Sequence, residues 1–391
     1  MTTAAASSVP APTALAASQW WRDFGRPPRI MGLDVARAIA IIGMIGAHLG
    51  ETAETIEPSG PAAWTALVHG NPSLLFALLA GFSISLMTRR GEVAPEDVPA
   101  VRLRMLGRGA TIFVIGLILE LLNTPIAVIL TLYGVLYIAV IPMLRWRTSR
   151  LILTATLLGL CGPPLLALLS TLSAGASGGG ISLVLFGSYP ITVWLCFGVT
   201  GMVLGRLRLD LLRTAVWFVA VGLVCAVVGF GLGSTVPSAD TTVGGFASPR
   251  GWAEWAQLWS QAEPLDRMLD AVLDAAPHSG GVMEILGAGG LGIAVIGAGF
   301  LLSRPLRWLL LPFAALGSMP LSAYTAHVVS YVVLAGPGGS ISSNETWIWS
   351  AVVLLILATT WSIVFGRGPL ERLTARVANA AASAPRQEQR P

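Results

Sequence analysis

The feature that most constrains this chain is a repeated one. Apolar runs of 17 to 23 residues recur along nearly its whole length, each long enough to cross a hydrocarbon layer about 30 Å thick. Ten such runs are readable, near 31–50, 72–88, 107–123, 125–144, 151–173, 187–205, 213–234, 284–302, 316–335 and 346–366. Only 11% of the 391 residues are charged and the mean hydropathy is +0.74. A soluble domain carries about 25% charge, so a polytopic, all-α membrane bundle of about ten helices is the class that fits.

Charge then orients the bundle. There are 24 arginines and no lysine. Arginines cluster in alternate connections: Arg89, Arg90, Arg102, Arg104 and Arg108 in the second, Arg145, Arg147 and Arg150 in the fourth, Arg206, Arg208 and Arg213 in the sixth, Arg304 and Arg307 in the eighth. The odd-numbered connections hold only Arg250 and Arg267. Short arginine-rich loops stay in the cytoplasm, so both termini are expected there, in an inner cell membrane. A pI near 9.3 would suggest nucleic acid in a soluble protein. Here the basic residues serve topology, and no nucleic-acid partner is expected.

Residues 1–28 and 376–391 read as disordered cytoplasmic tails and 29–375 as one membrane domain. The long connection at about 235–283 falls outside, where Trp252, Trp255 and Trp259 at helical spacing predict an interfacial helix. The cysteines Cys161, Cys196 and Cys225 sit inside apolar runs and read as free thiols. No histidine spacing of a metal site occurs, so no metal is expected. GAGGLG, residues 287–292, matches a dinucleotide fingerprint only as letters. It opens an apolar run and follows no strand, so close helix packing is the expected role.

The polar residues that remain inside apolar runs are costly there and mark a cavity or a partner. Asp34 and Arg37 lie near the inner end of the first span, a spacing that also suits a local ion pair. His48 follows eleven residues later, about 16 Å higher and almost on the same helix stripe as Arg37. His69, His278 and His327, with Glu120 and Glu284, are expected in the same outer half.

Arg37 and His48 form R-x10-H after GLDVA (32–36), and this resembles the transmembrane acyltransferase superfamily, including the acyltransferase-3 proteins and the heparan-α-glucosaminide N-acetyltransferases. SLLFALLAGFSISL (73–86) and ILTLYGVLYIAVIP (129–142) are similar to the second and fourth helices of that family. APHSG (276–280), ALGSMPLSAYTAHVV (315–329) and RGPLER (367–372) resemble bacterial heparan-acetyltransferase-like and YeiB-like membrane proteins. One departure is Ala38, where the family usually has glycine. The acyltransferase-3 pattern points to His48 as the catalytic histidine. The heparan pattern, with asparagine there and a histidine in the outer loop, points to His69.

The resemblance implies an enzyme that moves an acetyl or other short acyl group from cytoplasmic acyl-CoA to an envelope acceptor, a glycan hydroxyl or an amino sugar. Arg37, with Asp34, would hold the donor. His48 or His69 would perform the transfer, and His327 or Glu120 would orient it or carry protons. A homodimer is one option for the assembly. The rival is a transporter or exporter using the same polar cavity, for which CGPP (161–164) and GSMP (317–320) would interrupt the fifth and ninth spans.

Overall fold

The computed structural model describes residues 14–53, 61–173, 190–208, 211–234, 251–261 and 263–383, and among these every regular element is helical. In chain order the helices are α1 (Ala14–Asp23), α2 (Met31–Leu49), α3 (Asn71–Met87), α4 (Val98–Glu120), α5 (Leu130–Ala139) and α6 (Thr148–Ser173). They continue as α7 (Ile191–Leu204), α8 (Leu212–Gly233), α9 (Gly251–Gln261), α10 (Pro264–Leu273) and α11 (Val282–Leu302). The chain closes with α12 (Arg307–Gly317), α13 (Pro320–Ala335), α14 (Asn344–Phe365) and α15 (Pro369–Ala382).

The outer surface shows the solvent this fold is built for. Leu153 and Leu157 on α6, Val224 and Val227 on α8, and Ile356 and Leu357 on α14 all point away from the protein. In water they would form an apolar patch no monomer sustains; in a bilayer they meet lipid. By length and composition α2, α6, α8, α11 and α14 are each able to cross a membrane, and a sixth crossing counts if α12 and α13, bent by 74°, act as one. The protein is a helical membrane protein. Helices α3, α5 with the turn that follows it, and α7 are apolar but shorter.

Small residues set the packing. Gly222 and Gly229 of α8 lie against Gly290 and Gly287 of α11, where an added Cβ would fall 2.6 Å and 2.3 Å from the opposing backbone. The GAGGLG glycines are thus a helix contact. Gly81 of α3 meets the Gly198 carbonyl of α7 still more closely, at 1.7 Å for a Cβ. Between these pairs α2 and α3 form the centre, with Leu33, Ile41, Ile45, Leu74, Leu78 and Phe82 almost wholly buried. Such close backbone approach is how helices associate where lipid removes the hydrophobic drive between them.

Several expected boundaries shift. Helix α4 begins at Val98, so Arg102, Arg104 and Arg108 stand in a helix and not in the connection before it. CGPP does not interrupt its span, because α6 runs through Pro163 and Pro164 with open space beside Gly162. GSMP does break its span, at the bend between α12 and α13.

Both expected tails are partly helical. In the N-terminal one, α1 is pinned by Trp20 Nε1 donating to Ser362 Oγ at 3.0 Å and by Arg307 Nη2 reaching the Trp21, Arg22 and Phe24 carbonyls. In the C-terminal one, residues 376–382 continue α15, because Thr374 and Ala378 are buried where Gly107 of α4 leaves room. Residues 1–13 and 384–391, and 235–250 of the long connection, lie outside the described residues. The Trp252–Trp259 segment is helix α9, with Trp255 and Trp259 stacked at 6.0 Å.

Candidate functional site

Helix α2 carries the site at both ends. Near its start Asp34, 4% exposed, is held by two arginines: Arg29 Nη1 donates to Oδ2 at 2.9 Å and Arg37 Nη1 to Oδ1 at 2.5 Å. Arg37 Nη2 also donates to Ser83 Oγ at 2.8 Å, and Ser83 Oγ donates in turn to the Leu79 carbonyl. A buried carboxylate is tolerable only with this kind of compensation. The predicted Asp34–Arg37 ion pair therefore exists, and it also fixes Arg37 across to α3.

Arg37 opens onto a cavity of about 290 Å³, whose polar lining includes Ser83, Arg108, Tyr133, Tyr137 and Glu371. The Arg108 guanidinium lies over the Tyr137 ring at 5.5 Å, and the Tyr133 and Tyr137 rings are 5.4 Å apart. Arg108 Nε has no hydrogen-bond partner. Glu371 reaches in from α15: its Oε1 accepts from the Leu321 and Ser322 N–H groups and its Oε2 from Ser322 Oγ. That carboxylate caps α13 just after the bend, satisfying N–H groups a helix start leaves orphaned. Two guanidinium groups and two phenols, with the Glu371 carboxylate, thus share the lining of one cavity.

At the other end of α2, His48 Nδ1 lies 2.9 Å from His327 Nε2 of α13, with the two ring planes parallel to within 1°. His327 is fully buried and its Nδ1 is unpartnered. One ring must donate to the other. When His48 Nδ1 carries the proton, its Nε2 is left as a lone pair, which is the state a general base or nucleophile requires. The end of α2 is clamped around this pair: Ser343 N–H bonds the Leu49 carbonyl at 2.6 Å, and Trp347 Nε1 bonds the Ile42 carbonyl at 3.0 Å. Gly46 is what admits the Trp347 ring, since a Cβ there would stand 2.3 Å from it.

The other predicted residues are placed apart. His69 bonds Thr52 Oγ1 through Nε2, within the connection after α2. Glu120 is exposed at the last residue of α4, and among the described contacts it makes none to either histidine. His278 lies in the turn before α11, its N–H bonded to Glu284 in the first turn of that helix, at the same end of the bundle as His48 but with none of the described hydrogen bonds to it. Ser83, Arg108, Tyr133, Tyr137 and Glu371 were not readable as site residues. The one signal for them was the i, i+4 spacing of Tyr133 and Tyr137 in an apolar run. Among the described residues no group of three or more His, Cys, Asp or Glu side chains is placed to hold a metal ion.

The fold and these two polar ends define a class: a helical membrane protein with an arginine-lined cavity and a part-buried histidine pair joined by one helix. Comparison with known families makes it specific. The profile of the family described as heparan-alpha-glucosaminide N-acetyltransferase, catalytic, matches residues 29–228, half of the chain, and the protein belongs to that family. It is an acetyltransferase-type membrane protein. The match includes Asp34, Arg37, His48, Ser83, Arg108, Tyr133 and Tyr137, and it ends before His327 and Glu371. No curated protein gives a significant match.

Proposed function

We propose that this protein transfers a short acyl group, acetyl in the simplest case, from cytoplasmic acyl-CoA to a hydroxyl or amine of an acceptor on the outer side of the inner membrane. The observation that carries the reading is the pairing of Arg37 and His48 on one helix, the first lining a cavity with Arg108 and the second held by His327. Ten spans with both termini cytoplasmic, in a domain over 29–375, agree with the alternation of arginines. On that orientation the cavity faces the cytoplasm, where acyl-CoA is made.

Arg37 and Arg108 would meet phosphate oxygens of the donor by charge-assisted bonds. Asp34 positions Arg37. The thioester-bearing arm would then run outward along α2, about 16 Å by the rise between Arg37 and His48. There His48 Nε2 takes the proton of the acceptor O–H or N–H as the new C–O or C–N bond forms. The C–S bond breaks, and the proton returns to the leaving thiolate, so the histidine is regenerated. Direct attack by His48 on the thioester is the variant in which the histidine itself carries the acyl group. His327 orients His48 through Nδ1. His69 is the second choice for the catalytic role, on the family pattern and not on its neighbours here.

The 74° bend between α12 and α13 is the one observation that favours the rival transporter reading. Proteoliposomes separate the two. With acetyl-CoA on one side, the acyltransferase releases free CoA and yields acetate or an acetylated acceptor. A transporter moves its cargo with acetyl-CoA intact. Intact acetyl-CoA in the presence of folded protein contradicts the proposal.

A further inference from the structure

The outer face of the site has a third histidine. Gly32 near the start of α2 packs on Gly299 near the end of α11, where a Cβ would fall 2.7 Å from the Gly299 carbonyl carbon. The helices run in opposite directions from that contact. Sixteen residues along α2 is His48, and sixteen residues back along α11 is Met283, each about 24 Å from the contact. The turn that precedes α11 therefore stands level with His48, and the His278 ring is within electrostatic reach of it.

That turn is tightly built. The Glu284 carboxylate, 2% exposed, accepts from the His278 N–H at 2.8 Å, the Gly280 N–H at 2.7 Å and Ser279 Oγ at 3.2 Å. Asp274 holds the other side, taking the Ala276 N–H on Oδ1 and the Glu284 N–H on its carbonyl. Within this frame His278, its side chain exposed, sits at φ +69°, left-handed backbone that glycine adopts freely and that histidine, though commoner there than most residues, adopts at some cost. The next residue but one, Gly280, is also left-handed, at φ +68°. Glycine would make the same turn at 278 with less strain. A left-handed non-glycine residue in a rigid frame, level with His48, is a place to look for a functional side chain.

We propose that His278 is the acceptor-side residue of this site, hydrogen-bonding the incoming hydroxyl or amino group so that its proton faces His48. The assignment rests on the acyltransferase reading above and adds to it where the second substrate is held. It also limits that substrate to one carrying an O–H or N–H group that reaches the outer end of α2.

The turn supplies its own control. His278→Gly suits the left-handed backbone and keeps the main-chain N–H that bonds Glu284, while removing the imidazole and whatever that ring touches. His278→Gln keeps a hydrogen-bonding group of similar reach. Membrane vesicles from cells producing each variant, given acetyl-CoA labelled in the acetyl group, report label moved to envelope material against label released as acetate. Thermal melting of the purified variants establishes that each is folded. The expected result is a fall of at least tenfold in the transfer-to-release ratio for His278→Gly, partly restored in His278→Gln. A transfer-to-release ratio in His278→Gly equal to or above wild type makes the residue a turn former and overturns the assignment. Acetate release without transfer in wild type overturns it too. Wild type that leaves acetyl-CoA untouched is a different failure, that of the acyltransferase reading, and the assignment falls with it.

Discussion

Replacing His327 by phenylalanine separates catalysis from stability in a way the structure specifies. The ring of His327 is fully buried, its Nε2 is 2.9 Å from His48 Nδ1, and its own Nδ1 has no partner. Phenylalanine fills a similar volume, so no large cavity forms. It also removes one orphaned polar atom, which offsets part of the cost of leaving His48 Nδ1 alone. The net change in stability is therefore small, within about 1 kcal/mol, because deleting the partner and deleting the orphan act in opposite directions. Catalysis has no such compensation. An unsatisfied buried nitrogen costs about 1–3 kcal/mol, and if His48 loses that much orientation, turnover falls about 5- to 150-fold at 1.36 kcal/mol per decade. The assay is release of free CoA from acetyl-CoA by the purified protein, beside its melting temperature. Lost turnover at unchanged KM and near-unchanged melting is the predicted pattern. Wild-type turnover in folded His327→Phe, or a change confined to KM, refutes the reasoning.

Other substitutions test the remaining geometry. Arg37→Lys cannot reach Asp34 and Ser83 together, so acetyl-CoA binding should weaken about 10- to 100-fold by titration, with the fold retained. Gly81→Ala drives a Cβ to 1.7 Å from the Gly198 carbonyl and should cost about 3 kcal/mol or more, seen as loss of folded protein in detergent. Gly289→Ala on α11 meets nothing nearer than 3.5 Å and should melt like wild type. Asp274, in the turn before α11, has its carboxyl pushed above the usual carboxylate range by burial. Its ionised form is thus disfavoured in the folded state, and its contribution to stability declines as pH rises from the unfolded carboxyl value, about 3.9, through the raised folded one. Asp274→Asn keeps an oxygen for the Ala276 N–H, so it should melt higher than wild type at neutral pH, with the difference vanishing in acid.

What the sequence revealed divides by the range of the interactions involved. Helices were legible because each apolar run carries its own signal: every run overlaps a helix among the described residues, although only five or six are long and apolar enough to cross a membrane. The Asp34–Arg37 pair was legible because three residues on a helix fix a distance. The His48–His327 contact was legible only as one of two options, His327 or Glu120, since 279 positions separate the partners and packing alone chooses between them. Glu371 was hidden for the same reason: it lies outside the spans and enters the cavity because α15 folds back on α4. Arg108 was misread because an arginine before an apolar run looks like a loop charge, whereas α4 starts ten residues earlier and turns it inward. Parts of the expected tails are helical for reasons composition does not show: residues 14–23 are held where Trp20 reaches Ser362, and residues 376–382 pack where Gly107 leaves room.

The central claim is that one helix links donor binding to transfer, and a single comparison addresses it. Acetyl-CoA binding and hydrolysis would be measured together on purified wild type, Arg37→Ala and His48→Ala. The account predicts that His48→Ala binds acetyl-CoA like wild type and releases no CoA, while Arg37→Ala binds weakly. Folded wild type that binds no acyl-CoA, or a His48→Ala protein that turns over at the wild-type rate, contradicts it.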